Sequence, residues 1–243
     1  HILESYYRVS DEDVLQVRDA FSQMASSVPL QYVLKEAWFY GRKFNVSPDV
    51  LIPRPETELL CRTALGHKAS RVLDLCTGSG CIAWTLALEM PGSAIIGVDI
   101  SDGALKVADN QELSDELSQT GALKPQFVKA DVLSEPLTSL GQFDVIVSNP
   151  PYVMDREKYL MRRNVLDHEP HLALFVPDDD PLLFYRAVAK WALLMLRPDG
   201  YGIVEINEAL AFDTEEIFRD LGFRNVQTIK DLYDRDRFVE FFK

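Results

Sequence analysis

Phe143-Asp144-Val145-Ile146-Val147-Ser148-Asn149-Pro150-Pro151-Tyr152 is the stretch on which the reading of this chain turns. Phe143 to Ser148 is an apolar, β-branched run with the length of a buried strand. Asn149-Pro150-Pro151-Tyr152 then stops it. Pro150 confines Asn149 to extended backbone, Pro151 does the same to Pro150, and neither proline has an N–H to give to a ladder. An amide side chain, an uncommitted carbonyl and an aromatic ring are thereby set at the carboxyl end of a strand, where open α/β sheets bind ligands. A bare Pro-Pro would be a strand stop and nothing more; the tetrapeptide in this setting carries chemistry.

Upstream the pattern alternates strand and helix. Arg71 to Leu75 reads as a strand, Cys76-Thr77-Gly78-Ser79-Gly80 as a tight turn and Cys81 to Met90 as an apolar helix. This unit opens a nucleotide-binding α/β domain, because glycine lets the backbone approach a ligand closely. The turn lacks the full G-x-G-x-x-G of a dinucleotide site and the Gly-Lys-Ser/Thr of a P-loop, which disfavours NAD and ATP. Asp74, just before it, suits a cationic ligand better than a pyrophosphate. Ala94 to Asp99 is a second strand, ending in an acid about 25 residues beyond Asp74, the usual acceptor for ribose hydroxyls. Ser101-Asp102 caps a helix running through Ala104 and Val107 towards Leu113. Gln126 to Val132 is a third strand, with Asp131 placed to accept from an adenine amino group and Val132 to lie on its ring. Each acid alone would do for a helix cap or a strand end; three at successive strand tips argue for one nucleoside site.

Downstream, residues 153–181 read as irregular. Leu182 to Leu196 is an apolar helix, Arg197-Pro198-Asp199-Gly200 a turn, Tyr201 to Ile206 a strand, and Ala209 to Leu221 a helix ended by Gly222. Val226 to Ile229 and Phe238 to Phe242 form a closing pair. The fold class is α/β, a doubly wound parallel sheet with an antiparallel edge. At the other end, residues 1–35 look helical, and Ser10-Asp11-Glu12-Asp13 caps the run that carries Val14, Leu15, Val17, Phe21 and Met24. This region is too small for a core of its own and should dock on something else or be the remnant of a larger helical region. Trp38 to Val46 predicts a β-hairpin turning at Gly41. Pro53 and Pro55 keep Val50 to Glu58 extended, and Thr57-Glu58 starts a helix to about Gly66. Alone, Pro53-Arg54-Pro55-Glu56-Thr57-Glu58 reads as a rigid linker.

The 243 residues are 47% hydrophobic and 26% charged, ordinary for a globular protein. No apolar run approaches the ~20 residues that span a bilayer, and no signal-peptide pattern opens the chain. A net charge of −13 argues against a grip on a phosphate backbone. Cys61, Cys76 and Cys81 lack zinc-site spacing and read as free thiols in a reducing cytosol. His168 and His171 have no third ligand nearby, so no metal is expected.

Taken together, the motifs resemble one family: the bacterial protein-(glutamine-N5) methyltransferases that modify class 1 peptide-chain release factors. The resemblance runs from about Pro29 to the C-terminus. It rests on Leu51-Ile52-Pro53-Arg54-Pro55-Glu56-Thr57-Glu58, on Asp74 to Gly80, on Asp99, on Asn149-Pro150-Pro151-Tyr152, and on Glu169-Pro170 with Leu172-Ala173-Leu174. Asn-Pro-Pro-Tyr is shared with DNA-adenine and some RNA-guanine methyltransferases; the Pro-Arg-Pro-Glu-Thr-Glu segment narrows the field. Family members often have glycine at the positions of Ser27, Lys35 and Cys76, and a longer helical region ahead of Trp38.

The resemblance implies a Rossmann-like class I methyltransferase with a mostly parallel seven-stranded sheet. It divides the chain into a helical substrate-docking region (1–36), a β-hairpin and linker (37–66) and a domain that uses S-adenosylmethionine (67–243). It implies methyl transfer to the glutamine amide of a Gly-Gly-Gln loop, leaving S-adenosylhomocysteine. Asn149 and Pro150 would accept the amide hydrogens, Pro151 would stiffen the loop, and Tyr152 would pack on the planar amide. Asp74 would lie near the amino acid part of the donor and Cys76, Thr77, Gly78, Ser79 and Gly80 would wrap it. Asp99 and Ile100 would take its ribose, Asp131 and Val132 its adenine, with Arg54 and Glu169 as supports. The expected partner is a release factor, with no nucleic acid, no membrane, a monomeric state and a cytoplasmic location. A DNA-adenine or RNA-guanine methyltransferase, and a non-catalytic binding module of the same fold, are the competing readings.

Overall fold

The computed structural model describes residues 10–243; the helical expectation for residues 1–9 lies outside them. Helix α1 (Asp11–Ala25) starts at the capping cluster. Ser10 Oγ accepts from the Asp13 N–H at 3.1 Å, and the Asp13 carboxylate accepts from the Ser10 N–H at 2.9 Å. After α2 (Leu30–Leu34), strands β1 (Glu36–Phe39) and β2 (Arg42–Asn45) form an antiparallel hairpin. Its turn residues Tyr40 and Gly41 both have positive φ, as a tight two-residue turn requires. The extended segment after it leads into α3 (Thr57–Ala64).

The large sheet is then laid down in order: β3 (Arg71–Leu75), α4 (Cys81–Glu89), β4 (Ala94–Asp99), α5 (Asp102–Asp109), α6 (Ser114–Thr120), β5 (Gln126–Lys129) and β6 (Phe143–Ser148). A short excursion follows, with β7 (Val153–Met154), α7 (Arg163–Leu166) and β8 (Phe175–Val176). The chain closes through α8 (Leu183–Met195), β9 (Leu196–Glu205), α9 (Ala211–Asp220), β10 (Arg224–Lys230) and β11 (Asp236–Phe242). The sheet has seven strands in the order β10-β11-β9-β6-β3-β4-β5. Only β11 runs opposite to the other six strands, and it lies one place in from the edge. The chain steps outward from β3 to β4 and β5, then returns to place β6 on the other side of β3. That reversal opens a crevice at the carboxyl ends of β3 and β6.

The two-residue period of a strand divides the core in two. Val72, Ile95, Val145, Val147 and Ile203 pack with α3 and α4, whereas Leu73, Leu75, Ile96, Ile146 and Val204 pack with α8 and α9. Helix α4 is buried from Cys81 to Leu88, and its Trp84 indole donates to the Ala108 carbonyl at 2.8 Å.

Several boundaries differ from the sequence expectation. β5 stops at Lys129, so Asp131 and Val132 lie in the following loop; Lys129 pairs with Asp99, the last residue of its one ladder partner β4. α5 ends at Asp109 because the Gln111 amide bonds Asn45 and Ser79, and a separate helix, α6, follows. The segment expected to be irregular is threaded by the parallel β7–β8 pair and α7. Arg197 to Gly200 form a bulge within β9, with Asp199 at a φ of 62° and Arg197 paired to Asp144. On α1, Val14, Leu15, Val17, Phe21 and Met24 are all exposed. Ser27, Lys35 and Cys76 have φ of 67°, 59° and 61°. These are the positions where the resembling family often has glycine, the residue that adopts such angles without a steric penalty.

Candidate active site

A cleft of about 1110 Å³, counted out to its mouth, opens over the carboxyl ends of β3, β4, β5 and β6. One wall is the 49–57 segment, held by its prolines; another is Pro170, Leu172 and Ala173. Of the residues expected to form a site, Arg54, Cys76, Thr77, Gly78, Ser79, Asp99, Ile100, Asp131, Val132, Asn149 and Pro151 line it. Asp74, Gly80, Pro150, Tyr152 and Glu169 do not.

The glycine turn is built from β3. Asp74 is fully buried, and its Oδ2 accepts from the Thr77 hydroxyl at 2.5 Å. Its Oδ1 is buried without a partner, and burial, opposed by the Thr77 hydrogen bond, pushes the carboxyl up to about 7. Gly97 in β4 makes room for this arrangement, because a Cβ there would stand 2.7 Å from Thr77 Oγ1. Gly80 has a φ of 77° and lies so close to Ala108 and Phe127 that a side chain would collide with both. The Gly78 position faces open space. Asp99 accepts from the Gly78 N–H and the Ser101 N–H, both at 2.9 Å, so it ties the turn to the start of α5. Burial raises its pKa and those two N–H groups oppose the rise. Asp131 accepts from the Leu133 N–H at 2.9 Å. Each carboxylate oxygen can accept more than one hydrogen, so both acids keep capacity for a ligand.

At the tip of β6, the Asn149 side-chain amide donates to Thr57 Oγ1 at 3.4 Å. Thr57 donates to Glu205 Oε2 at 2.7 Å, and the Tyr152 phenol donates to Glu205 Oε1 at 3.0 Å. Among the described residues no protein donor reaches Asn149 Oδ1 or the Pro150 carbonyl. Two acceptor oxygens on consecutive residues are therefore left without a protein donor at the strand tip. Tyr152 was expected to offer its ring to a planar amide. Its phenol instead turns inward, and its ring packs against the core on the α8 and α9 side. The Asn207 amide braces the same loop by donating to the Tyr152 carbonyl at 3.2 Å.

Glu169, 3% exposed, joins the two walls. It accepts from the Ile52 N–H at 3.1 Å and from Arg54 Nη2 at 2.7 Å, 117 and 115 residues away in sequence. Thr57, Glu205 and Asn207 are not among the site residues expected from the sequence. Glu205 had a signal, since it is a fourth acid at the carboxyl end of an apolar strand; burial pushes its carboxyl up, against the Thr57 and Tyr152 hydrogen bonds.

Residues 55–172 match the methyltransferase small domain family. A release factor glutamine methyltransferase of Flavobacterium psychrophilum is 38% identical over 247 residues, covering 98% of this chain and 84% of that protein. The chain belongs to the release factor glutamine methyltransferase family. The Bacteroides thetaiotaomicron member is 41% identical over 228 residues, covering 92% of this chain and 79% of its own length. A solved methyltransferase of Pyrococcus furiosus, 17% identical, has the same fold, with a TM-score of 0.59 over 95% of this chain and 98% of that one.

The methyl donor of this class of enzyme is S-adenosylmethionine, and the residues present fit it. The orphaned Asp74 oxygen calls for a cation, the open face at Gly78 admits a ligand against the backbone, and Asp99 stands at the strand tip beside it. Among the described residues no helix is long and apolar enough to cross a membrane.

Proposed function

We propose that this protein transfers a methyl group from S-adenosylmethionine to the side-chain amide nitrogen of the glutamine in the Gly-Gly-Gln motif of class 1 peptide-chain release factors. The observation that carries the reading is Asn149, which lines the donor cleft with an uncommitted Oδ1 and is followed directly by Pro150, whose carbonyl has no protein donor among the described residues. An amide nitrogen is a poor nucleophile because its lone pair is delocalised into the carbonyl. The two acceptors take one N–H each, turn the nitrogen towards the cleft and stabilise positive charge as it grows there. Alignment of this kind supplies up to ~7–11 kcal/mol. S-adenosylmethionine, when bound, supplies a methyl group already activated on a sulfonium. Asp74 and the Cys76 to Gly80 turn hold its amino acid part, Asp99 and Ile100 its ribose, and Asp131 and Val132 its adenine. Arg54 and Glu169 close the wall above. Water takes the released proton, so no general base is required.

Residues 67–243 carry this chemistry, 37–66 link it, and 1–36 form part of the surface that docks the release factor. The protein works in the cytoplasm as a monomer. The test is mass spectrometry of a release factor after incubation with the protein and S-adenosylmethionine. A single added methyl on the Gly-Gly-Gln peptide is expected, and an unmodified peptide alongside a methylated nucleic acid would overturn the reading.

A further inference from the structure

The Asn149 amide has two faces, and only one orientation presents an oxygen to the cleft. Its orientation is decided two residues back in a hydrogen-bonded relay. Glu205, 1% exposed, has no salt-bridge partner among the described residues, a costly state for a buried carboxylate. What it has is two hydroxyls, Thr57 at 2.7 Å and Tyr152 at 3.0 Å. An ionised carboxylate only accepts, so both hydroxyls must give it their hydrogens. Thr57, 2% exposed, then has only lone pairs left for Asn149, 3.4 Å away. Lone pairs accept from an NH2 and repel a carbonyl oxygen. Asn149 must therefore turn its nitrogen to Thr57 and its oxygen to the cleft.

We infer that Glu205 and Thr57 are positioning residues for methyl transfer: the buried carboxylate sets the direction of the relay, and the relay sets which atom of Asn149 meets the substrate. The same carboxylate anchors the Tyr152 phenol, so both ends of the Asn149 to Tyr152 loop are held from one buried charge. This accounts for an acid kept inside the protein at the tip of β9, where Arg237 is near enough to favour its charge but makes its salt bridge to Asp231 instead. The inference rests on the function proposed above, in which Asn149 Oδ1 accepts from the substrate amide.

The experiment compares wild type, Thr57→Val, Thr57→Ser and Glu205→Gln in steady-state methylation of a release factor, with S-adenosylmethionine affinity measured by calorimetry. Val keeps the shape of Thr57 and removes the oxygen; Ser keeps the oxygen. Gln keeps the shape of Glu205 and turns an NH2 towards one of the two hydroxyls. Thr57→Val and Glu205→Gln should lose about tenfold to hundredfold in kcat, with the release factor KM and the donor Kd within about threefold of wild type. Thr57→Ser should recover kcat to within about threefold. Equal kcat in wild type and Thr57→Val, or failure of Ser to rescue, overturns the relay. Should Glu205→Gln not fold, the Val and Ser pair still decides. Absence of glutamine methylation by the wild type is a separate result, which removes the substrate reading itself.

Discussion

Replacing Glu169 by alanine should unfasten the wall of the cleft. The carboxylate accepts from the buried Ile52 N–H at 3.1 Å and from Arg54 at 2.7 Å, and so ties the 49–57 segment to the 169–173 segment. A backbone N–H bonded to an ionised acceptor contributes ~1.5–3 kcal/mol. The Arg54 pair is less, ~0.5–1 kcal/mol, because the Arg54 side chain is 31% exposed and partly screened. Together the loss is ~2–4 kcal/mol, which for a chain of this size lowers Tm by about 5–15 °C. Glu169→Gln keeps an oxygen for Ile52 and loses the charge, so it should fall by about half as much. Thermal unfolding of the three proteins, with S-adenosylmethionine calorimetry at one temperature, tests the order. An alanine variant melting within about 2 °C of wild type would show that the clamp contributes nothing.

Asn149→Ala should leave S-adenosylmethionine binding nearly intact and cut single-turnover methylation by ~100-fold or more; unchanged turnover would remove Asn149 from the reaction. Asp99→Ala should weaken donor binding, since it frees the Gly78 turn as well as removing a ribose acceptor; equal affinity by calorimetry would contradict that. Burial holds Asp74 at about 7, so in the ligand-free protein it is largely protonated below that pH. A cationic ligand needs it ionised, and donor affinity should fall by up to about tenfold per pH unit below about 7, with the slope abolished in Asp74→Asn. The sign for stability is opposite: the folded pKa lies above the ordinary 3.8, so the ligand-free fold loses stability as pH rises from there towards 7. Lys35→Gly should raise stability by ~0.5–1 kcal/mol in denaturant unfolding, because Lys35 ends α2 at a φ of 59°, where glycine is preferred.

Much of this architecture is legible along the chain because its causes are local. Pro150 and Pro151 restrict their neighbours whatever surrounds them, apolar runs of strand length make β3, β4 and β6, and glycines mark the turn after β3. Asp99 at the tip of β4 follows from the same register and lines the cleft, as does Asp131 from the loop after β5. What the chain order could not reveal is which side chains become partners across the sheet. Thr57 lies 92 residues from Asn149 and 148 from Glu205, and Glu169 lies 117 from Ile52. Those meetings exist only once β6 is laid beside both β3 and β9 and the helices are packed. Tyr152 turned inward for the same reason, since a phenol next to a buried carboxylate satisfies it and an exposed ring does not. Local sterics decide where the backbone bends and stops; the pairing of buried polar groups, which orients the reacting side chain, is decided by what the finished sheet brings within hydrogen-bond reach.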